Sequence, residues 1–302
     1  MVRPRSLALS APFVAAAGVL AYSSLYEVRA FTLRHVTVPV LRPGSEPLRV
    51  LHLSDAHLRP RQRRKREWLQ SLAALEPDLV VNTGDNMAHL DAAPAVLDAY
   101  GDLLDVPGVF VFGSNDYFSP VFKNPARYLF GGSGVEAGGD WQRSPDMPYE
   151  DLRKGFTSRG WVDLTNQHGE LVVNGTRIAF VGVDDPHLEY DELDDLPADP
   201  LADLTIGVAH APYLRVLDRW NRAGYRLILA GHTHGGQLCV PGYGALVSNC
   251  DLDPALAKGL HQHRTPEHEP SWVHVSAGLG TSPYAPVRFA CRPEATLLTL
   301  TG

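Results

Sequence analysis

From residue 48 onward the chain alternates short apolar runs with stretches of helical period. The runs are LRVLHLS (48–54), PDLVVNTG (77–84), GVFVFGS (108–114), RIAFVGV (177–183), LTIGVAH (204–210), RLILAGH (226–232), SWVHVSA (271–277) and ATLLTLT (295–301). Several are apolar at consecutive positions, the pattern of strands covered on both faces. Between them RKREWLQSLAAL (64–75), AAPAVLDAYGDLL (92–104), YEDLRKGFTSRG (149–160) and PYLRVLDRWNRAG (212–224) read as helices. This alternation predicts an α/β layered fold with a largely parallel sheet or paired sheets in the middle. Two stretches read as insertions: the Gly-rich 131–148, expected to be a mobile loop, and 251–270. The latter holds His261, His263 and His268 without a clean period and is expected to be a solvated loop rather than a metal tract.

Composition narrows the function. With 302 residues, 44% hydrophobic and 20% charged, the chain can bury a sizeable core. A formal net charge of −7 argues against a general nucleic-acid surface, so no nucleic-acid partner is expected. The local exception is RPRQRRKR (59–66), which fits either a solvated first helical turn or a rim that attracts phosphates or anionic headgroups. Three cysteines form no CxxC pair, which argues against a Cys-based zinc site. They read as buried thiols, with a Cys239–Cys250 bridge across a loop as the other reading.

Residues 6–26 carry no charge and follow Arg3 and Arg5. At 21 residues the stretch is long enough to span a bilayer. A membrane anchor is the foremost reading; a signal peptide cleaved near VLA (19–21) and a buried helix are the others. The expected division is a hydrophobic segment at 1–26 and one domain at 27–302. The expected location is the cell membrane, on an open side, and otherwise the cytoplasm.

Metal-type donors recur at the ends of the apolar runs. Asp55 and His57 follow the first, Asp85 the second, Asn115 and Asp116 the third, His210 the fifth, and His232 and His234 the sixth. Ligands in α/β sheets gather outside the carboxyl ends of strands, so these loops can converge although distant in sequence. Carboxylate, amide and imidazole donors together suit manganese, iron or zinc better than calcium or magnesium. Singly each motif has a bland reading, such as an N-cap, a polar turn or a core histidine; the ordered set does not.

That set (D-x-H, G-D, G-x-N-D, H, G-H-x-H) resembles the calcineurin-like metallophosphoesterase superfamily, in its bacterial branch with a hydrophobic N-terminal segment. The resemblance covers residues 48–302. It implies a four-layer α/β fold, two β-sheets packed as a sandwich and flanked by helices, with the metal site at the strand C-terminal ends. It implies a first ion on Asp55, His57 and His234, a second on Asn115, His210 and His232, and Asp85 bridging both. The implied chemistry is attack on phosphorus by a hydroxide held between the two ions, with no covalent enzyme intermediate.

One position departs from the pattern. Asp116 stands where many relatives have a histidine that assists the leaving group. It reads either as a general acid or as a positioning partner of His210. Asp185 and His187, in GVDDPH, are alternative supports, with His187 either binding substrate or lying in a surface turn. The expected activity is that of a phosphodiesterase or pyrophosphatase rather than a monoesterase, on a phosphoester that can be lipid-linked. A phospholipid, a nucleotide-linked lipid such as a diacylglucosamine diphosphate precursor, and a cyclic nucleotide all fit. The alternative is a catalytically impaired scaffold or binding module on the same fold.

Overall fold

The structure, a computed structural model, describes residues 14–121, 144–192 and 197–302. In chain order the first sheet takes β1 (Thr32–Pro39), β2 (Leu48–Leu53), β3 (Leu79–Asn82), β4 (Gly108–Phe110) and β5 (Val162–Asp163). The second takes β6 (Gln167–Val173), β7 (Thr176–Gly182), β8 (Leu204–Val208) and β9 (Leu227–Ala230). A short hairpin, β10 (Cys239–Val240) and β11 (Gly244–Ala245), stands apart. Then β12 (Gly259–His263) and β13 (Ser271–Val275) complete the second sheet, and β14 (Glu294–Thr301) returns to the first. The strand orders are β1-β14-β2-β3-β4-β5 and β12-β13-β9-β8-β7-β6.

Strands β2 to β5 run parallel, as do β7, β8, β9 and β13. Their carboxyl ends therefore open on one edge of each sheet. All eight apolar runs are the interior strands, where both faces are covered. Within these two sheets the strands that carry no such run, β1, β5, β6 and β12, are the four edges. Strand β6 shows why: it leaves Val172 65% exposed, and an edge strand needs no continuous apolar stretch.

The predicted helices form as α1 (Arg63–Ser71), α2 (Ala93–Tyr100), α4 (Tyr149–Thr157) and α5 (Leu214–Ala223), with a single turn, α3 (Ser114–Tyr117), between them. Leu69 of α1, Val96 of α2 and Phe156 of α4 pack with Leu51, Leu53 and Phe110 on the outer face of the first sheet. Val50, Val81 and Val109 meet Phe180, Ile206 and Leu229 between the sheets. Val216, Leu217 and Trp220 of α5 cover Ile228 and Val273 on the far side. The order helix, sheet, sheet, helix is the four-layer sandwich expected from the motifs.

Three expectations change or narrow. The 251–270 tract is not wholly a solvated loop, because Gly259–His263 pairs antiparallel with β13. His263 Nε2 there lies 2.8 Å from Asp218 Oδ1 on α5. Its polar sequence is that of an edge strand, which periodicity does not reveal. Of the Gly-rich insertion, residues 131–143 lie outside the described residues, as do residues 6–13 of the N-terminal segment. Among the described residues no helix is long and apolar enough to cross a membrane. Residues 14–21 are helical and continue through Tyr22–Tyr26 and Glu27–Arg29. All three cysteines are free and buried, and Cys239 packs with Cys291 rather than with Cys250.

A buried imidazole pair joins the sheets. His52 of β2 and His274 of β13 face each other with Nδ1 atoms 2.9 Å apart, and His52 Nε2 lies 3.1 Å from Thr83 Oγ1. Burial lowers both, His274 to about 3, so both are neutral at neutral pH. A histidine whose folded pKa is depressed stabilises fully above its unfolded value near 6.5 and loses that contribution as pH falls through the window down to about 3. Stability is therefore expected to fall between pH 7 and pH 5 by about 2 kcal/mol per imidazole. In urea titrations His274→Gln should lessen that fall by a similar amount; an unchanged pH slope would show that His274 is not buried neutral.

Candidate metal centre

The ligand loops form because backbone pairing continues past the strand ends. Thr83 N donates to Leu53 O, Asp55 N to Gly84 O and His57 N to Asp85 O, extending the β2–β3 ladder into the loops. Asp55, His57, Asp85, His232 and His234 all have positive φ, between 40° and 66°. Such backbone costs roughly 1–3 kcal/mol per residue and persists only where the surroundings over-determine it. The pairing just described supplies that constraint, and His232 N adds a bond to Asp55 Oδ2 at 3.0 Å.

Two glycines permit the close approach. A Cβ on Gly231 would fall 1.8 Å from Ser54 Oγ and 2.5 Å from Asp55 Oδ2. One on Gly113 would fall 2.4 Å from Asp85 Oδ1 and 2.7 Å from the His210 ring. The glycine before His232 and the one two residues before Asn115 are thus required by packing as much as by backbone freedom.

Six predicted ligands converge. Asp55, His57 and His234 offer donor atoms within 4.8 Å of one another, and so do Asp55, Asp85 and His210. Asp85 Oδ2 lies 3.4 Å from His57 Nε2 and 3.5 Å from His210 Nε2, between the two groups. His232 Nδ1 is 3.3 Å from His210 Nε2, which puts its ring on the His210 side. The seventh, Asn115, is half-buried beside Asp85, donating from its backbone N to Oδ1 and from Nδ2 to Oδ2, each at 2.8 Å.

The donor set fits cations. Asp55 Oδ1 and Asp185 Oδ2 are buried without a hydrogen-bond partner, which is unfavourable for carboxylates in a dry site. Burial pushes Asp55 up to about 6 and Asp185 up to about 7. Burial also acts to raise Asp85, but His210 and His57 outweigh it and hold that carboxyl below its usual range. Burial lowers His57 to about 4 and places His232 and His234 well below the usual histidine value, so these rings are neutral. His210 is the exception: burial opposes its charge, yet Asp85, Asp185 and Asp55 raise it to about 9. The carboxylates that attract that proton would attract an ion in the same way.

The two further candidates separate. His187 is half-buried at the rim, its ring centroid 4.5 Å from that of His232 and its Nδ1 3.0 Å from Tyr213 Oη. Asp116 is fully buried and accepts from the backbone N–H of Asp85 (2.8 Å), Asn86 (2.9 Å) and Gly113 (3.2 Å). It ties the second and third ligand loops together through these backbone bonds rather than by a bond to His210.

Two buried basic side chains leave no signal in the sequence. Arg288 is fully buried and donates to Ala277 O and Gly280 O at 2.7 Å, while its Nη2 lies 3.2 Å from His234 Nδ1. Lys65, lowered to about 7 by burial, donates to Ala56 O at 2.7 Å, between the ligands Asp55 and His57. Lys65 belongs to the basic run, so that run is not uniformly solvated. Arg63 pairs with Glu67, Arg66 with Asp98, and Arg59, Arg61 and Arg64 are exposed.

Known proteins resemble the chain over most of its length. Residues 48–236 match the profile of the calcineurin-like phosphoesterase family. The chain is 26% identical over 307 residues to the uncharacterized metallophosphoesterase YkuE of Bacillus subtilis, covering 97% of this chain and 93% of that protein. It is 29% identical over 291 residues to a Bos taurus transmembrane protein with metallophosphoesterase domain, covering 90% of this chain and 57% of that one. A solved 5'-nucleotidase precursor from Thermus thermophilus aligns at 16% identity and TM-score 0.44, over 84% of this chain and 55% of that chain.

Because Asp85 Oδ2 lies between both donor groups, Asp85→Ala should reduce bound metal more than loss of any single histidine. Elemental analysis after dialysis against manganese is the measurement, with circular dichroism to verify the fold. Ions that bind only the folded chain should also raise its melting temperature, by the equivalent of about 2.7 kcal/mol at a hundredfold excess over Kd. Asp85→Ala should abolish that rise.

Proposed function

We propose that this chain, which belongs to the calcineurin-like phosphoesterase family, hydrolyses phosphodiester or pyrophosphate bonds in a substrate presented at a membrane. It is a metal-dependent phosphoesterase. The observation that carries the proposal is the convergence of Asp55, His57, Asp85, His210, His232 and His234, with Asp55 Oδ1 buried among them without a hydrogen bond.

In this reading Asp55, His57 and His234 hold one ion, Asn115, His210 and His232 hold the other, and Asp85 serves both. Manganese, iron and zinc suit the donors. When bound, two such ions supply charge neutralisation, polarisation of the phosphoryl oxygens and activation of the attacking water. The chain's own residues set the geometry around them. Asp116 fixes the backbone of the second and third ligand loops. His187, braced by Tyr213, stands at the mouth beside His232 and is placed to hydrogen-bond the leaving oxygen or a phosphoryl oxygen.

Charge supports a diester, a monoanion, over a monoester. A monoester dianion needs extra cationic donors, but the buried Arg288 and Lys65 point theirs at backbone carbonyls. Residues 6–26 would act as the membrane anchor and make a lipid-linked phosphoester the natural substrate. The Bos taurus relative, named as a transmembrane protein, supports the same placement.

The test uses the full chain loaded separately with manganese, zinc and iron, on a chromogenic phosphodiester, its monoester and a pyrophosphate-linked lipid. Turnover of the diester or pyrophosphate should exceed that of the monoester and vanish in His232→Ala. His187→Ala should lower kcat by about 10²–10⁴-fold, the range for loss of a proton donor. Two bound ions without turnover of any ester would overturn the proposal in favour of a scaffold.

A further inference from the structure

Exposed apolar side chains gather on one face of this molecule. Of sixteen exposed large apolar or tyrosine side chains among the described residues, eleven lie on three segments, two of which dock on the third. The first is the N-terminal helical stretch, where Val14, Leu20, Leu25 and Tyr26 are each more than half exposed. The second is the β10–β11 hairpin with its flanks, where Leu238, Val240, Tyr243 and Leu246 are 49%, 44%, 77% and 48% exposed. The third is the loop before β14, with Tyr284 52% exposed.

Contacts make these one surface. Cys239 N donates to Phe289 O and Phe289 N to Gln237 O, which docks the hairpin onto the loop. Arg288 N donates to Ser23 O, and the Tyr22 ring meets Phe289 edge-on at 6.2 Å, which docks the N-terminal stretch onto the same loop. Scattered apolar residues need no explanation on a protein surface, but a contiguous set does.

The face adjoins the metal centre. The hairpin begins shortly after His234, and Arg288 in the loop reaches His234 Nδ1 at 3.2 Å. A Cβ on Gly280, at the head of that loop, would fall 2.5 Å from Ala56 O, so the loop also packs against the first ligand motif. That motif runs directly into the exposed Arg59, Arg61 and Arg64, so basic side chains follow the first ligand motif within a few residues.

We propose that this face, formed by the N-terminal helical stretch, the β10–β11 hairpin and the Tyr284 loop, docks onto an anionic lipid bilayer, so that the metal centre opens at the headgroup layer. Tyr243 occupies the hairpin tip between Gly242 and Gly244, whose φ of 81° and 106° make the turn around it. An aromatic ring with a polar end, on a tip flanked by aliphatic side chains, suits the boundary between headgroups and acyl chains. The exposed arginines complement anionic headgroups. The sequence upstream of the exposed helix stays free of charge back to Ser6, with Arg3 and Arg5 beyond it. The inference deepens the membrane reading above and rests on it for the tether, but the hairpin and loop are additional to that tether.

The experiment reconstitutes the full chain with phosphatidylglycerol or phosphatidylcholine vesicles, an environment-sensitive fluorophore being placed on Tyr243→Cys. The control label is on Val172→Cys, 65% exposed and paired with Arg177 at the opposite end of the strands. With phosphatidylglycerol the label at 243 should shift to the blue and be quenched by lipid-borne quenchers, more than with phosphatidylcholine, while the label at 172 stays in water. A vesicle-bound chain whose label at 243 remains in water would overturn the docking face and leave the anchor intact. Failure of the chain to bind vesicles would overturn both. A blue shift without vesicles that grows with protein concentration would overturn the bilayer and assign the face to a second copy.

Discussion

Burial of anionic carboxylates where two sheets meet is the constraint on which the rest of the structure depends. Asp55, Asp85 and Asp185 are almost wholly removed from water, and two of their oxygens find no partner in the protein. Isolated buried charges are so unfavourable that they must be neutralised, by protonation or by a cation. Imidazoles surround them, and all but His210 are held neutral by their own burial. A donor set of this kind, anionic at the centre and neutral at the periphery, is arranged to bind ions of higher charge than a proton.

The left-handed backbone of the ligand residues follows from the same constraint. A side chain leaving a strand in extended conformation points across the sheet, whereas these must turn into the line where the sheets meet. Five ligands accept positive φ to do so. Hydrogen bonds from one ligand loop to the next, together with the Asp116 carboxylate and the Lys65 and Arg288 cations, hold that geometry from behind. The polar layer extends deeper: His210 Nδ1 lies 2.8 Å from Thr83 O, and Thr83 Oγ1 meets the His52–His274 pair between the sheets. Substitutions in this supporting layer would therefore act on the ions without touching them.

Position in the fold explains what the exposed apolar face is made of. The hairpin and the loop before β14 carry no sheet or helix that the core requires, so their exposed apolar side chains answer to no packing need inside the molecule. Their link to His234 through Arg288 connects the surface to the site over a short distance. Binding and chemistry can then share one edge of the sandwich, which the parallel direction of the interior strands had already set apart for loops.

Much of this was legible in the chain itself, for a physical reason. A strand covered on both faces must be apolar at consecutive positions, so all eight interior strands were readable, and their order with four helices determined the layered architecture. Metal ligands must be Asp, His or Asn close to a strand end, so the seven donors are legible at those same ends. Edge strands β1, β5, β6 and β12 obey no such requirement and were invisible to periodicity. Arg288 and Lys65 were also invisible, because a buried cation satisfied by backbone carbonyls leaves no trace in spacing. Asp116 and His187 could be nominated from sequence but not distinguished: only the folded chain buries one behind the loops and brings the other to the rim. The contiguous apolar face was likewise decided in three dimensions, since it joins residues 14–26, 238–246 and 284 through contacts that no local pattern encodes.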